Sequence, residues 1–532
     1  MSPHGLKPWP TLFSSATRIT RSYSTRRVMA RDYSAAVAAL NTLQSNFAIV
    51  DAIRKSGRGM NQQAIPEMIE WCQRAGYEPS DFNRLKPIHM SGTKGKGSTS
   101  AFISSILGQY LPETTPSSPI HKVGLYTSPH LRSVRERIQI NHEPISEDMF
   151  AKYFFEIWDR LEESTKTKPI PSDHPQKPVY FRYLTLMALH AYVNEGVNTA
   201  VMECGIGGEY DSTNILLSPT VAAVTSLGID HVAMLGNTIE EIAWHKAGIF
   251  KRGAAAFTVP QPEAVITVLK KRAADVGAEL QIIERHADLE NINLGLAADF
   301  QKTNASLAIT VAAAHLRALG YNDVPAPEEI TKSSLPAKFK TGLEQVKWPG
   351  RCEVRRETSP AIAWHIDGGH TLESIELSGR WFAEQIQSVG SSKGKSKRIL
   401  LFNQQTRDAG ALARALHKTL ATALGDEKPF THAVFCSNVT FKDGGYKPDL
   451  VSMNTNKEDV DALAVQKGLA RTWEQVDAET EVKVSKTIEE AVEWCREVAR
   501  EGEEQGEVMV LITGSLHLVG GALEVLESGK KE

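Results

Sequence analysis

The alternation of short apolar runs with longer amphipathic segments predicts the fold class. The apolar runs of the first half have the length of strands and are Ile88–Met90, Val123–Tyr126, Arg137–Ile140, Val197–Cys204, Thr220–Ser226 and Ala254–Val259. Segments with helical spacing of apolar residues are Ser34–Ser56, Ile65–Arg74, Glu147–Leu161, Ile239–Lys251, Glu263–Val276 and Asp299–Leu319. Alternating strands and helices favour a mainly parallel sheet that is covered by helices on both faces.

A second series of the same kind begins near the sequence W-P-G-R at residues 348–351. Its strands are predicted at Ala361–Ile366, Arg398–Phe402, Thr431–Cys436, Val482–Ser485 and Val508–Thr513, and its helices at Leu372–Gln387, Ala409–Ala423, Asp459–Glu474, Ile488–Arg500 and Leu516–Leu526. The segments 164–178, 391–397 and 441–457 are interpreted as loops or surface insertions. We therefore predict a larger N-terminal α/β domain over residues 32–345 and a smaller Rossmann-like α/β domain over residues 346–532.

The glycine-rich segment between the first strand and the helix that follows it is the strongest candidate for chemistry. It reads G-T-K-G-K-G-S over residues 92–98. Glycines allow a tight turn whose N–H groups face phosphate oxygens, and the helix N-terminus adds its positive dipole end. Lys96 would reach the outer phosphates, and the hydroxyl of Ser98 or Thr99 would face a magnesium ion. The spacing departs from G-x-x-x-x-G-K-[ST], which leaves a plain surface turn as the alternative to a P-loop NTPase-like parallel-sheet domain.

Composition and charge narrow the class of protein. The chain has 532 residues, 41% of them hydrophobic and 23% charged, which is typical of a soluble globular protein with more than one core. The net charge of −3 gives no reason to expect nucleic acid or an anionic membrane as a partner, and we find no apolar run of spanning length. The five cysteines form no C-x-x-C pair, which argues against a disulfide framework and a structural zinc site.

The first 31 residues differ in composition from the rest. Their charged side chains are all basic, namely Lys7, Arg18, Arg21, Arg26, Arg27 and Arg31, and serine and threonine are frequent. No Asp or Glu precedes Asp32. This composition predicts a mitochondrial transit peptide, with a plain disordered tail as the alternative. Met29 offers a second start, so we expect a mitochondrial matrix form and a cytoplasmic form.

Polar residues follow several predicted strands of the first half. Ser128 follows Val123–Tyr126, Glu203 closes another apolar run, and Asp230 and His231 come after a third. Ligands gather at the carboxyl ends of parallel strands. A hydroxyl, a carboxylate and an imidazole there would make a sparse magnesium site completed by water. Each residue alone has a structural alternative, such as a strand-end charge or a hydrogen-bonded loop histidine.

Further candidates lie on a helix of the first half and in the second half. Lys246 sits among apolar residues, so burial would lower its pKa and let the neutral amine add carbon dioxide to form a carbamate. Asp367 and His370 follow a strand, and Arg351 and Arg407 suit phosphate or carboxylate groups. Together they predict an active site that closes around ATP between two domains. The N-K-x-D sequence at 456–459 lies in a polar insertion, which disfavours a GTPase.

The ordered set of motifs resembles the folylpolyglutamate synthases, a family of the Mur-ligase superfamily of ATP-dependent amide-forming enzymes. The matching runs are S-G-T-K-G-K-G-S at 91–98, Y-T-S-P-H-L at 126–131, E-C-G-I-G-G at 203–208, T-S-L-G-I-D-H at 225–231, I-A-W-H-K-A-G-I at 242–249, W-P-G-R at 348–351, D-G-G-H-T at 367–371 and F-N-Q-Q-T-R-D at 402–408. Lys94 and the N-Q-Q-T-R-D run suggest the eukaryotic type. Gly369 departs from the more usual D-G-A-H.

The resemblance implies roles for individual residues. Binding of ATP would fall to Lys94, Gly95, Lys96, Gly97, Ser98, Asn304, Arg351 and Asp367, with Asn304 near the base. Magnesium would be held by Ser128, Glu203 and His231, and a monovalent cation is an optional addition. Lys96, Lys246, His370 and Arg407 would be catalytic, and Lys246 matches a lysine that is carbamylated in bacterial members.

The implied activity is addition of L-glutamate to the γ-carboxyl of tetrahydrofolate and folylpolyglutamates through an acyl phosphate. The partners would be a reduced folate, L-glutamate and ATP, and a monomer is expected because one chain holds both catalytic domains. Two alternatives stay open. One is a dihydrofolate synthase or another Mur-type amino-acid ligase, and the other is a nucleotide-binding switch without ligase activity.

Overall fold

The computed structural model describes residues 31–44, 62–112, 118–172, 174–389, 397–405, 407–443, 463–501 and 506–528. The strands are β1 Ile88–Ser91, β2 Val123–Tyr126, β3 Ile138–Ile140, β4 Glu143–Pro144, β5 Thr199–Glu203, β6 Val221–Val224, β7 Ala255–Thr258, β8 Leu280–Ile282, β9 Glu353–Thr358, β10 Ala361–Ile366, β11 Arg398–Phe402, β12 His432–Cys436, β13 Glu481–Ser485 and β14 Val508–Thr513. The helices are α1 Tyr33–Thr42, α2 Ala64–Arg74, α3 Lys96–Gly108, α4 Glu147–Thr167, α5 Tyr180–Asn194, α6 Val232–Leu235, α7 Ile239–Lys246, α8 Glu263–Val276, α9 Gln301–Ala318, α10 Pro327–Ile330, α11 Ala337–Gln345, α12 Leu372–Ser388, α13 Ala409–Leu424, α14 Ala464–Val476, α15 Ile488–Arg500 and α16 Leu516–Ser528.

The first domain is built on an eight-stranded sheet in the order β4-β3-β2-β5-β1-β6-β7-β8. Neighbouring strands are parallel except at the β2–β3 and β3–β4 pairs. Alternate residues of β5 face opposite sides of the sheet. Val201 packs into a cluster with residues of α3 and α9, whereas Ala200 and Met202 pack into a cluster with residues of α4 and α5. Helices therefore cover both faces, as the sequence predicts.

The second domain has a six-stranded sheet in the order β13-β12-β11-β14-β10-β9. Among the described strands, the edge pair β9–β10 is antiparallel and the other pairs are parallel. Ile399 and Leu401 of β11 enter one apolar cluster, while Leu400 and Phe402 enter the cluster on the opposite face. The predicted class, a larger α/β domain followed by a smaller Rossmann-like one, is confirmed. The boundary at residue 345 stays a prediction, although α11 ends at Gln345 and β9 begins at Glu353.

Several elements escape the sequence pattern, namely β4, β8, β9, α5, α6, α10 and α11. Helix α5 is buried along the continuous run from Tyr183 to Tyr192, so it has no polar face to show a helical period. Strand β9 reads E-V-R-R-E-T, because an edge strand tolerates charged side chains that discourage further pairing. Helix α4 runs to Thr167, so the predicted loop 164–178 is wrong in its first residues.

Some predictions fall outside the described residues. These are the transit peptide through residue 30 with Met29, the later part of the predicted helix Ser34–Ser56, and most of segments 391–397 and 441–457. Helix α1 ends at Thr42. Within the part of the chain that the structure describes, no helix is long and apolar enough to cross a membrane.

Candidate active site

Four loops meet at the carboxyl ends of β2, β5, β1 and β6, which are neighbours in that order in the first sheet. They form one side of a cavity of about 1620 Å³, and residues of the second domain complete it. The predicted site residues that line it are Lys94, Gly95, Lys96, Gly97, Ser98, Ser128, Glu203, His231, Asn304, Arg351, Asp367 and His370. Parallel strands bring distant sequence segments to one edge, as expected for an α/β ligand site.

The glycine-rich loop is held in place by the neighbouring β6 loop. The N–H groups of Thr93 and Lys94 donate to the Ser226 carbonyl at 3.0 and 2.9 Å. Gly95 has a φ of 83°, which favours glycine, and precedes the first residue of α3. A Cβ added to Gly95 would lie 2.1 Å from Oδ1 of Asn304. Asn304 therefore lies against the loop backbone, which requires glycine at residue 95 for both conformation and space.

Two lysines converge on the first residue of this loop. Nζ of Lys96 donates to the Gly92 carbonyl at 3.0 Å, and Nζ of Lys246 donates to the same oxygen at 2.7 Å. Lys246 is 3% exposed. Burial, with a smaller contribution from the charge of Lys96, lowers the pKa of Lys246 to about 7. Lys246 does not line the cavity, so it reaches the site through the Gly92 backbone, not as a wall residue.

Glu203 is the buried carboxylate of the cavity. Its Oε2 accepts hydrogen bonds from the Thr127 hydroxyl and from the Ser128 N–H, the latter at 3.2 Å. Burial raises the pKa of Glu203, and the nearby charge of Lys96 opposes that rise. Among the described residues, no hydrogen bond is made to its Oε1, which leaves one oxygen for a ligand.

Burial lowers the pKa of His231 to about 4, so its ring is neutral at physiological pH and able to bind a cation.

Magnesium fits this set only as a sparsely coordinated ion. The described residues contain no group of three or more His, Cys, Asp or Glu placed to hold a metal. One carboxylate, one hydroxyl and one imidazole would therefore leave about half of the six octahedral positions to water and phosphate oxygens. This arrangement suits magnesium, which dehydrates reluctantly.

Asp230 links the glycine-rich loop to the second domain, a role that the sequence did not assign. Its carboxylate lies 3.6 Å from Nζ of Lys94 and accepts from Nη2 of Arg407 at 3.1 Å. Burial opposes ionisation, but the His231 ring, Lys94 and Arg407 hold the pKa of Asp230 well below its usual range. Arg407 does not line the cavity, so the structure places it on a protein carboxylate and not directly on a ligand site.

The second domain contributes an ordered loop after β10. The carboxylate of Asp367 accepts from the N–H groups of Cys352 and Gly369 at 3.1 and 3.0 Å, and from the Ser378 hydroxyl. Asp367 is therefore anchored even though this chain has glycine at residue 369, where the family more usually has alanine. Nδ1 of His370 lies 3.0 Å from the Gly368 carbonyl.

The contact with Gly368 fixes the tautomer of His370. A carbonyl only accepts, so Nδ1 carries the hydrogen and Nε2 keeps its lone pair. Burial, followed by nearby cations, lowers the pKa of His370 to about 4. The ring therefore presents a neutral acceptor at physiological pH.

Sequence reasoning missed several residues of the cavity. Asp211 accepts from the N–H groups of Gly205 and Ile206 at 2.9 and 3.3 Å and so holds the turn that follows Glu203. Val179 and Phe181 are 42% and 50% exposed and line the cavity. They form an apolar part of the cavity wall. Val179 directly precedes α5 and Phe181 lies in its first turn, and α5 showed no helical period, so no sequence signal was available.

Comparison with known proteins shows which family the chain belongs to. No protein-family model matches the chain. A folylpolyglutamate synthase of Saccharomyces cerevisiae strain S288c is 47% identical over 510 residues, which cover 94% of this chain and 88% of the yeast protein.

Two solved structures share the fold. A folylpolyglutamate synthase of Mycobacterium tuberculosis complexed with ADP and AMPPCP has a TM-score of 0.66 at 21% identity, covering 93% of this chain and 99% of that one. An FPGS–AMPPCP–folate complex has a TM-score of 0.63 at 22% identity with the same coverage. Given the level of identity to the yeast protein and the near-complete coverage of both chains, this chain belongs to the folylpolyglutamate synthase family.

Proposed function

We propose that the protein adds L-glutamate to the γ-carboxyl of tetrahydrofolate and folylpolyglutamates, with ATP converted to ADP and phosphate. One observation carries this proposal. The phosphate loop with Lys96, the carboxylate of Glu203 and the second-domain groups Arg351 and His370 line one cavity. The family supports it, and one structural neighbour is a complex with AMPPCP and folate.

The chemistry explains why these groups belong together. A carboxylate is a poor electrophile, so a γ-carboxylate oxygen first attacks the terminal phosphorus of ATP and ADP leaves. The glutamate nitrogen then attacks the acyl carbon, a C–N bond forms, and the C–O bond to phosphate breaks. Lys96 and Arg351 would stabilise the charge on the transferring phosphoryl group. The ammonium group of glutamate must lose two protons to become an amide N–H, and the neutral Nε2 of His370 offers an acceptor for one of them.

Magnesium binding belongs to this proposal. Ser128, Glu203 and His231 would hold the ion, which would supply positive charge beside the phosphate oxygens. Oε1 of Glu203, which accepts no hydrogen bond from the described residues, supports this assignment. Burial raises the pKa of the Glu203 carboxyl, and the charge of Lys96 opposes that rise and so favours the carboxylate.

A product assay tests the activity. Incubation with ATP, L-glutamate and tetrahydrofolate, followed by mass spectrometry, should show folates that carry added glutamyl units. Lys96→Ala is the matched negative control. If the protein glutamylates dihydropteroate and does not glutamylate tetrahydrofolate, it is a dihydrofolate synthase. ATP hydrolysis without any glutamylated folate would indicate a nucleotide switch.

Localisation is a separate proposal that rests on residues 1–31. We infer import of the full chain into the mitochondrial matrix and a cytoplasmic form that starts at Met29. A reporter fused to residues 1–31 should enter mitochondria. A reporter that stays diffuse in the cytosol would contradict this proposal and leave the ligase assignment unaffected.

Light scattering of the purified protein should give the mass of a monomer.

A further inference from the structure

Leu131 belongs to the first domain by sequence but packs against an apolar core of the second domain. A Cβ added to Gly520 of α16 would lie 2.0 Å from the Leu131 carbonyl oxygen. A Cβ added to Gly350 would lie 3.1 Å from Cδ2 of Leu131. Leu131 therefore lies between Gly350 and Gly520 of the second domain, and these three residues form what we call the seat. A larger residue in place of either glycine would displace Leu131.

The position of this seat along the chain connects it to the cavity. Leu131 lies three residues after Ser128, and Gly350 directly precedes Arg351. Ser128 and Arg351 line the cavity from the first and the second domain, respectively. The contact between Leu131 and Gly350 thus joins the two backbone segments that carry these residues.

The first domain holds Leu131 firmly from its own side. The carboxylate of Glu136 accepts from the N–H groups of Leu131, Arg132 and Ser133 at 2.7, 3.1 and 3.0 Å. Three hydrogen bonds to one carboxylate fix the backbone of this loop. The first domain therefore keeps both Leu131 and Ser128 in place, and a loss of the seat would shift the second domain relative to them.

Ion pairs surround the seat on its solvent side. Arg132 pairs with Glu527 at the end of α16 and lies 3.8 Å from Glu524. Glu527 also pairs with Arg355 of β9 at 2.9 Å. Such partly exposed pairs stabilise little by themselves. The apolar seat, with its close contacts to two glycines, therefore sets the geometry, and the ion pairs favour the same docking.

We propose that Leu131 is a positioning residue that sets the approach of Arg351 to Ser128 during ligation. This inference rests on the proposed function. Reacting groups must be held close to their productive geometry, and a displacement of about 1 Å is able to cost on the order of 100-fold in rate. The first-domain loop would still bind ATP when the seat is lost, so the effect should fall on kcat more than on KM.

The first test is Leu131→Ala with Leu523→Ala as its control. Leu523 is a buried leucine of the same cluster on α16, so both substitutions remove the same side-chain atoms. Leu131→Ala should lower kcat on the order of 10- to 100-fold with little change in KM for ATP. Leu523→Ala should lower the thermal midpoint and leave kcat near wild type. Leu131→Met, which fills a similar volume, should recover most of the activity.

The second test does not depend on a cavity in the core. Gly520→Ala places a Cβ against the Leu131 carbonyl, while Gly468→Ala in α14 meets nothing within 4 Å. Gly520→Ala should lower kcat and Gly468→Ala should not. Wild-type kcat in both Leu131→Ala and Gly520→Ala would overturn the inference. A wild-type protein that makes no glutamylated folate would instead overturn the proposed function.

Discussion

Lys96 and Lys246 share one acceptor: their Nζ atoms lie 3.0 and 2.7 Å from the carbonyl oxygen of Gly92. Two ammonium groups on one carbonyl repel each other, and Lys246 is the more deeply buried of the two. This explains why the pKa of Lys246 falls, first through burial and then through the charge of Lys96. The amine of Lys246 is therefore partly neutral at physiological pH.

Lys246 is expected to react with carbon dioxide, because a pKa of about 7 leaves much of the amine neutral at physiological pH. A carbamate keeps one N–H on Nζ, so the hydrogen bond to Gly92 is compatible with it. Lys246→Ala should lower kcat on the order of 100-fold. Small carboxylates should restore part of that loss if a carbamate is needed, and small amines if an ammonium is. Rescue by amines alone would exclude the carbamate.

The same lysine predicts how stability depends on pH. Its pKa is 10.5 ordinarily and about 7 in the folded protein, so the unfolded chain binds more protons between these values. The unfolding free energy of wild type relative to Lys246→Met should therefore rise with pH across that window, by up to about 1.4 kcal/mol per unit. Urea titrations in buffer free of carbon dioxide would measure it. Parallel curves for the two proteins would contradict the buried amine.

Gly95→Ala should weaken ATP binding, because the added Cβ would lie 2.1 Å from Oδ1 of Asn304. Gly253→Ala is the control. Gly253 has a similar φ of 79° but meets nothing within 4 Å, so it shares the backbone strain alone. Calorimetry with a non-hydrolysable ATP analogue should show a larger loss for Gly95→Ala. In an Asn304→Ala background, Gly95→Ala should cost less ATP affinity than it does in wild type, because the contact is absent. An equal cost in both backgrounds would show that backbone strain alone is responsible.

Glu203→Gln should raise the magnesium concentration needed for half-maximal activity on the order of 10- to 100-fold. The amide keeps an oxygen that accepts from Thr127 and Ser128, so the loss of charge is the main change. Glu195→Gln, outside the cavity, serves as control and should behave as wild type. An unchanged magnesium dependence in Glu203→Gln would remove Glu203 from the metal site.

Much of the candidate site could be predicted from local sequence patterns. A phosphate loop depends on glycines and lysines within seven residues, and its strand–loop–helix context is readable from apolar spacing. Strand-end residues such as Ser128, Glu203 and His231 were also accessible, because parallel topology brings consecutive strand ends to one edge. Eight of the twelve predicted site residues that line the cavity belong to this loop or to these strand ends.

The sequence by itself thus determined the alternating order of most elements, the two α/β units and the residue types at the strand ends, because these follow from short-range periodicity and turn chemistry. Only the tertiary structure decided which partners those residues have. It places Arg407 on Asp230, Lys246 on the Gly92 carbonyl and Leu131 in the second domain. These contacts join residues far apart in the chain, and their geometry depends on how sheets and domains pack, which no local pattern encodes.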